Sequence, residues 1–548
     1  MIISKIFDYY GSKCLRYKNL IVQGKVFLET DYIDEVNANQ LIDYIVSNHD
    51  KKLRGFFALY YITQDLALCF VDRVRSCPIF YAYENKNLYI SDDPCWIAKE
   101  IGDFLEESKL EDFKLVSFTM EKSTLFSRVK QLEAGEKLVF YNNKLSITRY
   151  DRLHYLLPEK TMHYDLYQNH ESVLNLVFEN LLRYANGRTL VVPLSGGYDS
   201  RLIAMMLKKM HYENIVTFTY GNVKSTDVQL SKLVAEKLDL KWIYIQATPE
   251  DYKSVVQTKE YLQYFLYAGK MSSVPHMQDW YAVKYMKDHK IIPEDSIFVP
   301  GHVGDILSGE CSDRKKKLYE SEKLDYKKAA DAIIDYLFTE KILSRKELKR
   351  YRQVVRDEMI TYKGVYNSAS AYEAWWLYER TAKFIVNSVR TYEFFGYDWW
   401  LPLADYEYFR FWEKVSLKDR INQKLYQSTI TSLMKKLMGE IIPREGEEDK
   451  IRRNIRSFFA RFISINSRNI VKKHILNENQ IIKKQYYGGL NPIWYYCVNS
   501  LEDYKKCKNQ CSSVNYALAN QYIELMRCTF PIFFASGRSL LITNHRLF

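Results

Sequence analysis

The pattern of hydrophobic and polar positions changes character near residue 165. Before that point, RGFFALYYI, LALCFVD, PIFYAYE, NLYISD and EKLVFYNN are short runs of aromatic and β-branched residues between polar turns, which predicts strands. One helical interlude, LEESKLEDFKLVSF, interrupts them. This pattern suits a layered antiparallel sheet with helices packed against it. Afterwards NHESVLNLVFENLLRYAN carries apolar positions at helical spacing and ends at Asn186-Gly187, a natural stop. Strand TLVVPLS, helix SRLIAMMLKKM, strand NIVTFTYG, helix DVQLSKLVAEKL and strand KWIYIQA follow in order, with a further strand at SIFVPG. That alternation predicts a parallel sheet with crossover helices. Beyond about residue 310 the chain reads as charged helix broken by aromatic-rich loops.

Composition adds limits more than identity. A chain of 548 residues has room for roughly two to four domains. The balance of 79 basic and 67 acidic residues, +12, is spread along the sequence. It suits an anionic substrate or a place near a membrane surface and is weak evidence for nucleic acid, so no nucleic-acid partner is expected. Nine scattered cysteines do not form a secreted disulfide framework. No run reaches the roughly 20 apolar residues of a membrane span, and MIISKIFDYYGSK is no secretory signal, so the expected location is cytoplasmic.

The most informative stretch is VVPLSGGYDS, residues 191–200, which follows an apolar strand and opens an amphipathic helix. Gly196 and Gly197 let the backbone approach a ligand, and free N–H groups at the helix start, with the Ser195 and Ser200 hydroxyls, make an anion cradle suited to phosphate. Asp199 would repel a phosphate directly and is read as a Mg²⁺ ligand bridging to polyphosphate. The plainer alternative is a strand-to-helix turn with Asp199 as a cap. Position at the carboxyl end of the first parallel strand favours the ligand. No G-x-x-x-x-G-K-S/T sequence occurs, which excludes a Walker-type loop.

SGGYDS resembles the SGGxDS loop of the N-type ATP pyrophosphatases, enzymes that cleave ATP between its α and β phosphates. Further segments resemble asparagine synthetase B within that group. FTYG followed by Ser225-Thr226-Asp227 is similar to the family's adenine-side F-S-x-G…S-x-D, which implies ATP contacts at Leu194, Ser195, Gly196, Gly197, Asp199, Ser200, Tyr220, Asp227 and Gly301. PGHVGDI resembles S-G-E-G-A-D-E, with Asp305 as the second carboxylate near Mg²⁺, while His302 and Ile306 replace glutamates. The segment from Tyr392 to Asp405 resembles S-x-E-x-R-x-P-F-L-D. It implies Asp398, or Glu393 if there is an insertion, as the group that handles the attacking amine, with Trp400 in place of the arginine. The family's late lysine, which steadies the leaving pyrophosphate, corresponds to Lys424 or Lys450.

The N-terminal region resembles the family's class II glutamine amidotransferase domain through Gly55-Phe56-Phe57-Ala58, the run from Val71 to Tyr81, and Gln131 to Glu136. Those glutaminases use a cysteine as the new N-terminus. Here Met1 is followed by Ile2, Ile3 and Ser4, and the first cysteine is Cys14. The resemblance therefore implies a degenerate domain, as in β-lactam synthetase, with nitrogen from ammonia, an amine or a separate amidotransferase.

The architecture so implied is α/β. A layered antiparallel, Ntn-like α+β domain spans 1–155, and a parallel-sheet, adenine nucleotide alpha hydrolase-like synthetase domain with helical additions spans 165–450. A helical C-terminal extension covers 451–548. The implied reaction uses Mg-ATP to adenylate a carboxylate, aspartate or a sugar acid of surface-polysaccharide synthesis, and then forms an amide. The rivals are a nucleotide-binding pseudoenzyme that scaffolds a partner, and a tRNA-modifying enzyme using the same loop. IRRNIRSFFARFISINSRNIVKKHI reads as a basic helix that packs on the protein or lies against a membrane surface, and CKNQC lacks the further ligands for zinc.

Overall fold

The computed structural model describes residues 1–7, 14–50, 52–155, 165–256, 258–309, 316–321, 323–338, 343–444, 492–498, 502–505 and 513–529. Lys450, Cys507, Cys511 and the basic stretch after residue 450 lie outside them.

The N-terminal part is two β-layers with helices. Strands β1 (Ile2–Lys5), β2 (Cys14–Tyr17), β3 (Leu20–Leu28), β4 (Asp31–Tyr32), β5 (Leu53–Ile62), β6 (Leu66–Val71), β7 (Phe80–Glu84), β8 (Asn87–Ser91), β9 (Lys130–Gln131), β10 (Glu136–Tyr141) and β11 (Lys144–Arg149) build them. One sheet runs β1-β8-β7-β9, and the other β11-β10-β6-β5-β3-β2 with β4 on β3. Pairing is antiparallel except for β1 on β8. The strands read from the sequence are β5 to β8 and β10; β1 to β4, whose polar and charged positions blur the alternation, were not apparent. Apolar faces meet between the layers in Ala58, Tyr60, Cys69, Val71, Ile79 and Ile90, all buried.

The second part is a parallel sheet in the order β14-β13-β12-β15-β16. Its strands are β12 (Leu190–Pro193), β13 (Ile215–Gly221), β14 (Lys241–Gln246), β15 (Ile297–Phe298) and β16 (Asp398–Trp399). Leu190, Val191 and Val192 are fully buried, as a strand covered on both faces requires. Helices Leu166–Ala185, Tyr198–Lys209 and Thr226–Lys237 flank it. The first ends at Asn186, left-handed at φ 48°, as the Asn-Gly pair predicts.

Beyond the sheet, helices Tyr326–Leu337, Arg345–Thr361 and Ser368–Trp376 lead into a π-helical stretch, Leu377–Ile385, and a 3₁₀ turn, Val386–Val389. This continuous rod has two working faces. Glu379 and Lys383 turn toward the N-terminal layers, where Lys383 Nζ reaches the Thr119 carbonyl at 3.2 Å and the Glu121 carbonyl at 2.5 Å. Arg380 and Phe384, also four apart in the π-helical stretch, share another stripe, and Ser388 follows in the 3₁₀ turn.

Candidate functional site

Pro193 ends β12, and Leu194-Ser195-Gly196-Gly197 turns the chain into the helix that begins at Tyr198. Gly197 stands at the N-cap and there is no side-chain cap bond, so Asp199 does not serve as the cap. Three N–H groups of the loop before the helix are bonded within the protein. The Ser195 N–H donates to Ser200 Oγ at 3.0 Å, the Gly197 N–H to Ser195 Oγ at 3.1 Å, and the Gly196 N–H to the Asp227 carboxylate. Asp227 thus braces the loop from the helix that follows β13. Burial pushes its carboxyl above the usual range, while the Gly196 N–H and Arg201 pull it back. Arg201, fully buried, donates to the Gly196 carbonyl at 2.8 Å and to the Ile442 and Pro443 carbonyls at 2.7 and 3.1 Å. It ties the loop to a distant part of the chain.

The second loop leaves β15 and packs directly on the first. A Cβ on Gly301 would sit 2.7 Å from Asp199 Cβ and 3.1 Å from Ser200 N, so only glycine allows this approach. A Cβ on Gly304 would lie 3.1 Å from Asp199 Oδ1. Asp305, exposed, is the next residue, and therefore belongs to the same mouth as half-buried Asp199. Val303 between the two glycines has φ 81°, a strained value for a β-branched residue. His302 bonds Ser388 Oγ through Nε2 at 2.7 Å, and burial drives its imidazole down to about 4, so it is neutral.

Tyr220 closes the far end of β13. Its hydroxyl donates to Asp279 Oδ1 at 2.8 Å, and Tyr392 donates to Asp279 Oδ2 at 2.6 Å. Lys424 is exposed at the start of the helix Lys424–Met438, two residues before Tyr426, whose hydroxyl donates to Asp199. Asn422 and Gln423, left-handed at φ 57° and 59°, turn the chain into that helix.

Asp398 and Glu393 are placed elsewhere. Asp398 pairs in register with Ile297, and Ile297 with Leu190, at the amino end of the sheet. That is roughly 16 Å along the strands from Ser195, at ~3.3 Å per residue. Asp398 is held by Lys25 at 2.6 Å, Arg188 at 3.1 Å and the Tyr184 hydroxyl at 2.5 Å. Burial raises its carboxyl, but Lys25, Tyr184 and the Trp399 N–H outweigh this and hold it at about 2. Glu393 is buried and accepts from Tyr267 at 2.7 Å and Trp399 Nε1 at 2.8 Å, with Arg390 at 2.6 Å. Both carboxylates line a cavity of about 410 Å³ against the N-terminal layers, whose lining includes Lys25, Cys77 and Asp92 but none of the loop residues. The aromatic segment was read in the right order along the chain, but a short strand, β16, carries its acid to the opposite end of the sheet.

The centre of the site is two loops in contact at the carboxyl ends of neighbouring parallel strands, one SGGYDS and the other bearing Asp305. Residues 182–445 match the family model of asparagine synthase. The matched stretch contains both loops, Tyr426 and Lys424. No curated protein sequence matches the chain. Among solved structures, the NH3-dependent NAD synthetase from Campylobacter jejuni is similar at 17% identity, over 36% of this chain and 82% of its own, with a TM-score of 0.19. That score is too low to bear on the site.

Arg201, Tyr426, Asp279 and Ser388, the partner of His302, were not singled out by sequence. Arg201 directly follows the loop and had a local signal, a cation on the first turns of an apolar helix. Tyr426 lies 227 positions from Asp199, one tyrosine among 46.

Proposed function

We propose that the chain is an ATP-dependent amide-forming ligase that activates a small-molecule carboxylate by adenylation. The carrying observation is the contact of Gly301 and Gly304 with Asp199, which sets Asp199 and Asp305 at one mouth within the asparagine synthase-type domain. In this reading an oxygen of the acid attacks the α-phosphorus of ATP and the α–β bridging P–O bond breaks, releasing pyrophosphate. Ammonia or an amine then attacks the acyl carbon, the acyl–oxygen bond breaks to release AMP, and the nitrogen loses a proton to water or a nearby base.

Asp199 and Asp305 offer hard carboxylate oxygens, the donor set of a Mg²⁺ that takes one or two carboxylates and completes its shell with phosphate and water. Bound there, the ion would neutralise charge on the leaving pyrophosphate. The chain's own residues position that site: Gly301 permits the close approach, Tyr426 orients Asp199, and Asp227 and Arg201 fix the loop backbone. Lys424 is assigned to the departing charge because it is exposed beside Tyr426.

The nitrogen is assigned to free ammonia, an amine or a separate amidotransferase. Burial pushes the Cys69 and Cys95 thiols up, and Cys77 to about 11. That is the opposite of what a nucleophilic thiol requires. Asp398 and Glu393 have no part in the amine step here, since both are bonded at the sheet's other end.

A second reading is a nucleotide-binding scaffold, favoured by the internal bonding of the loop's N–H groups. Phosphorus NMR with Mg-ATP, ammonia and a panel of aspartate and uronic acids separates the two. Acid-dependent AMP and pyrophosphate support the ligase; nucleotide binding with ATP left intact across the panel supports the scaffold.

A further inference from the structure

We propose that Arg380, Phe384 and Ser388 form the acid-binding wall of the synthetase site, and that Arg380 receives an anionic group of the substrate other than the carboxylate that reacts. The inference rests on the ligase reading and deepens it.

The geometry runs outward from the ATP loop in linked contacts. Gly301 lies on Asp199, and its neighbour His302 bonds Ser388 Oγ at 2.7 Å. One turn earlier on the rod, Phe384 carries His276, with ring centroids 5.5 Å apart. One turn earlier again, the Arg380 guanidinium lies 5.9 Å from the Phe384 ring and 4.9 Å from that of Trp376. Arg380 and Phe384, four apart in the π-helical stretch, share one stripe because its turn takes slightly more than four residues, and Ser388 follows in the 3₁₀ turn.

Arg380 is the cation this face supplies. His276 is driven down to about 3, first by burial and then by His302 and Arg380, and His302 is driven to about 4. At neutral pH both rings are uncharged, and His302 keeps its bond to Ser388. Lys383, on the other stripe, is consumed by Glu379 and the Thr119 and Glu121 carbonyls. Arg390 is consumed by Glu393. Arg380, half-exposed, has among the described residues neither a carboxylate partner nor a hydrogen bond, only the two rings near it. A guanidinium packed near aromatic rings without a polar partner keeps its N–H fork for a carboxylate or phosphate. The ligand class is therefore an acid with a second anionic group.

The test is calorimetric titration of the full chain loaded with Mg²⁺ and an ATP analogue whose α–β bridge is a methylene. Succinate, aspartate and glucuronate 1-phosphate are compared with butyrate and glucuronate. The expected result is dianion binding roughly 10- to 100-fold tighter than that of the matched monoanions. Arg380→Met, which keeps the apolar contact with the rings, should abolish that preference, and Arg380→Lys should restore part of it. A preference that survives in Arg380→Met, or no preference in the wild type, overturns the proposal. Binding of the analogue and ATP–pyrophosphate exchange, measured alongside, report separately on the ligase reading.

Discussion

The phenol of Tyr426 donates its proton to the Asp199 carboxylate, joining the first turn of the helix after the SGGYDS loop to the first turn of a helix more than two hundred residues later. Burial, then the charge on Asp199, pushes this phenol far above its ordinary value, so it remains a donor throughout the working pH range. Tyr426→Phe removes that bond and little volume. Losing a hydrogen bond to a charged group costs about 1.5–3 kcal/mol, roughly 10- to 100-fold in rate if it is spent on orienting Asp199. AMP formation should fall by that factor with the far-ultraviolet spectrum unchanged. An unchanged rate contradicts the orienting role.

Gly301→Ala should act more severely. The added methyl would meet Asp199 Cβ at 2.7 Å, against atoms that belong to the helix's first turn. Separating the loops should cost about 1–3 kcal/mol of stability and eliminate ATP–pyrophosphate exchange. A variant with wild-type exchange would show that the close approach is dispensable. Calorimetry of unfolding and the exchange assay read the two effects independently.

The Lys25–Asp398 pair crosses from the N-terminal layers to the sheet and is almost wholly buried. Lys25→Met leaves Asp398 with Arg188 and Tyr184 alone, and breaking a buried pair this way costs roughly 3–5 kcal/mol. Adding Asp398→Asn should recover part of the loss. The sign with pH follows from the lowered carboxyl: the stability Asp398 contributes is present above its ordinary value of 3.8 and is lost as pH falls toward about 2. Urea unfolding of wild type and both variants at pH 7 checks this. Equal midpoints for all three would contradict it.

A different pH dependence follows from Glu133, Glu358 and Glu379, whose carboxylate oxygens lie within 4.8 Å of one another in the interior. Lys122, Arg149 and Lys383 face them, with Glu136, Tyr362 and Trp375. Burial and then mutual repulsion push Glu358 well above the usual carboxylate range. Glu379 is raised to about 7, by burial against the pull of Lys383. A carboxyl raised in the folded state stabilises fully below its ordinary value of 4.5 and loses that contribution as pH rises. Stability should therefore decline from that value through neutrality. Glu358→Gln, which keeps a donor toward Glu379, should flatten the decline, gaining on the wild type at pH 8 and not at pH 5. Parallel curves would contradict the raised carboxyls as the source of the decline.

Much of this was legible in the sequence, for physical reasons that differ by element. The alternation from β12 to β14 stands out because buried parallel strands are apolar runs bounded by amphipathic helices, and SGGYDS stands out because close backbone approach demands glycine. Asp305 was reached through its neighbours Gly301 and Gly304. Asp398 misled, because a strand of two residues, Asp398–Trp399, has no period to read, and its register against Ile297 decides which end of the sheet receives the acid. Arg380 was hidden among charged helical positions. Its stripe is visible only once the rod is seen to be π-helical, with Glu379 and Lys383 turned the other way.

Adenylation is read out by acid-dependent exchange of labelled pyrophosphate into ATP, comparing the wild type with Asp199→Ala across the acid panel. Exchange in the wild type should require both Mg²⁺ and an acid, and Asp199→Ala should lose it by at least about 100-fold without loss of fold. Exchange that persists in Asp199→Ala, or wild-type protein that binds ATP and exchanges nothing with any acid, would contradict it.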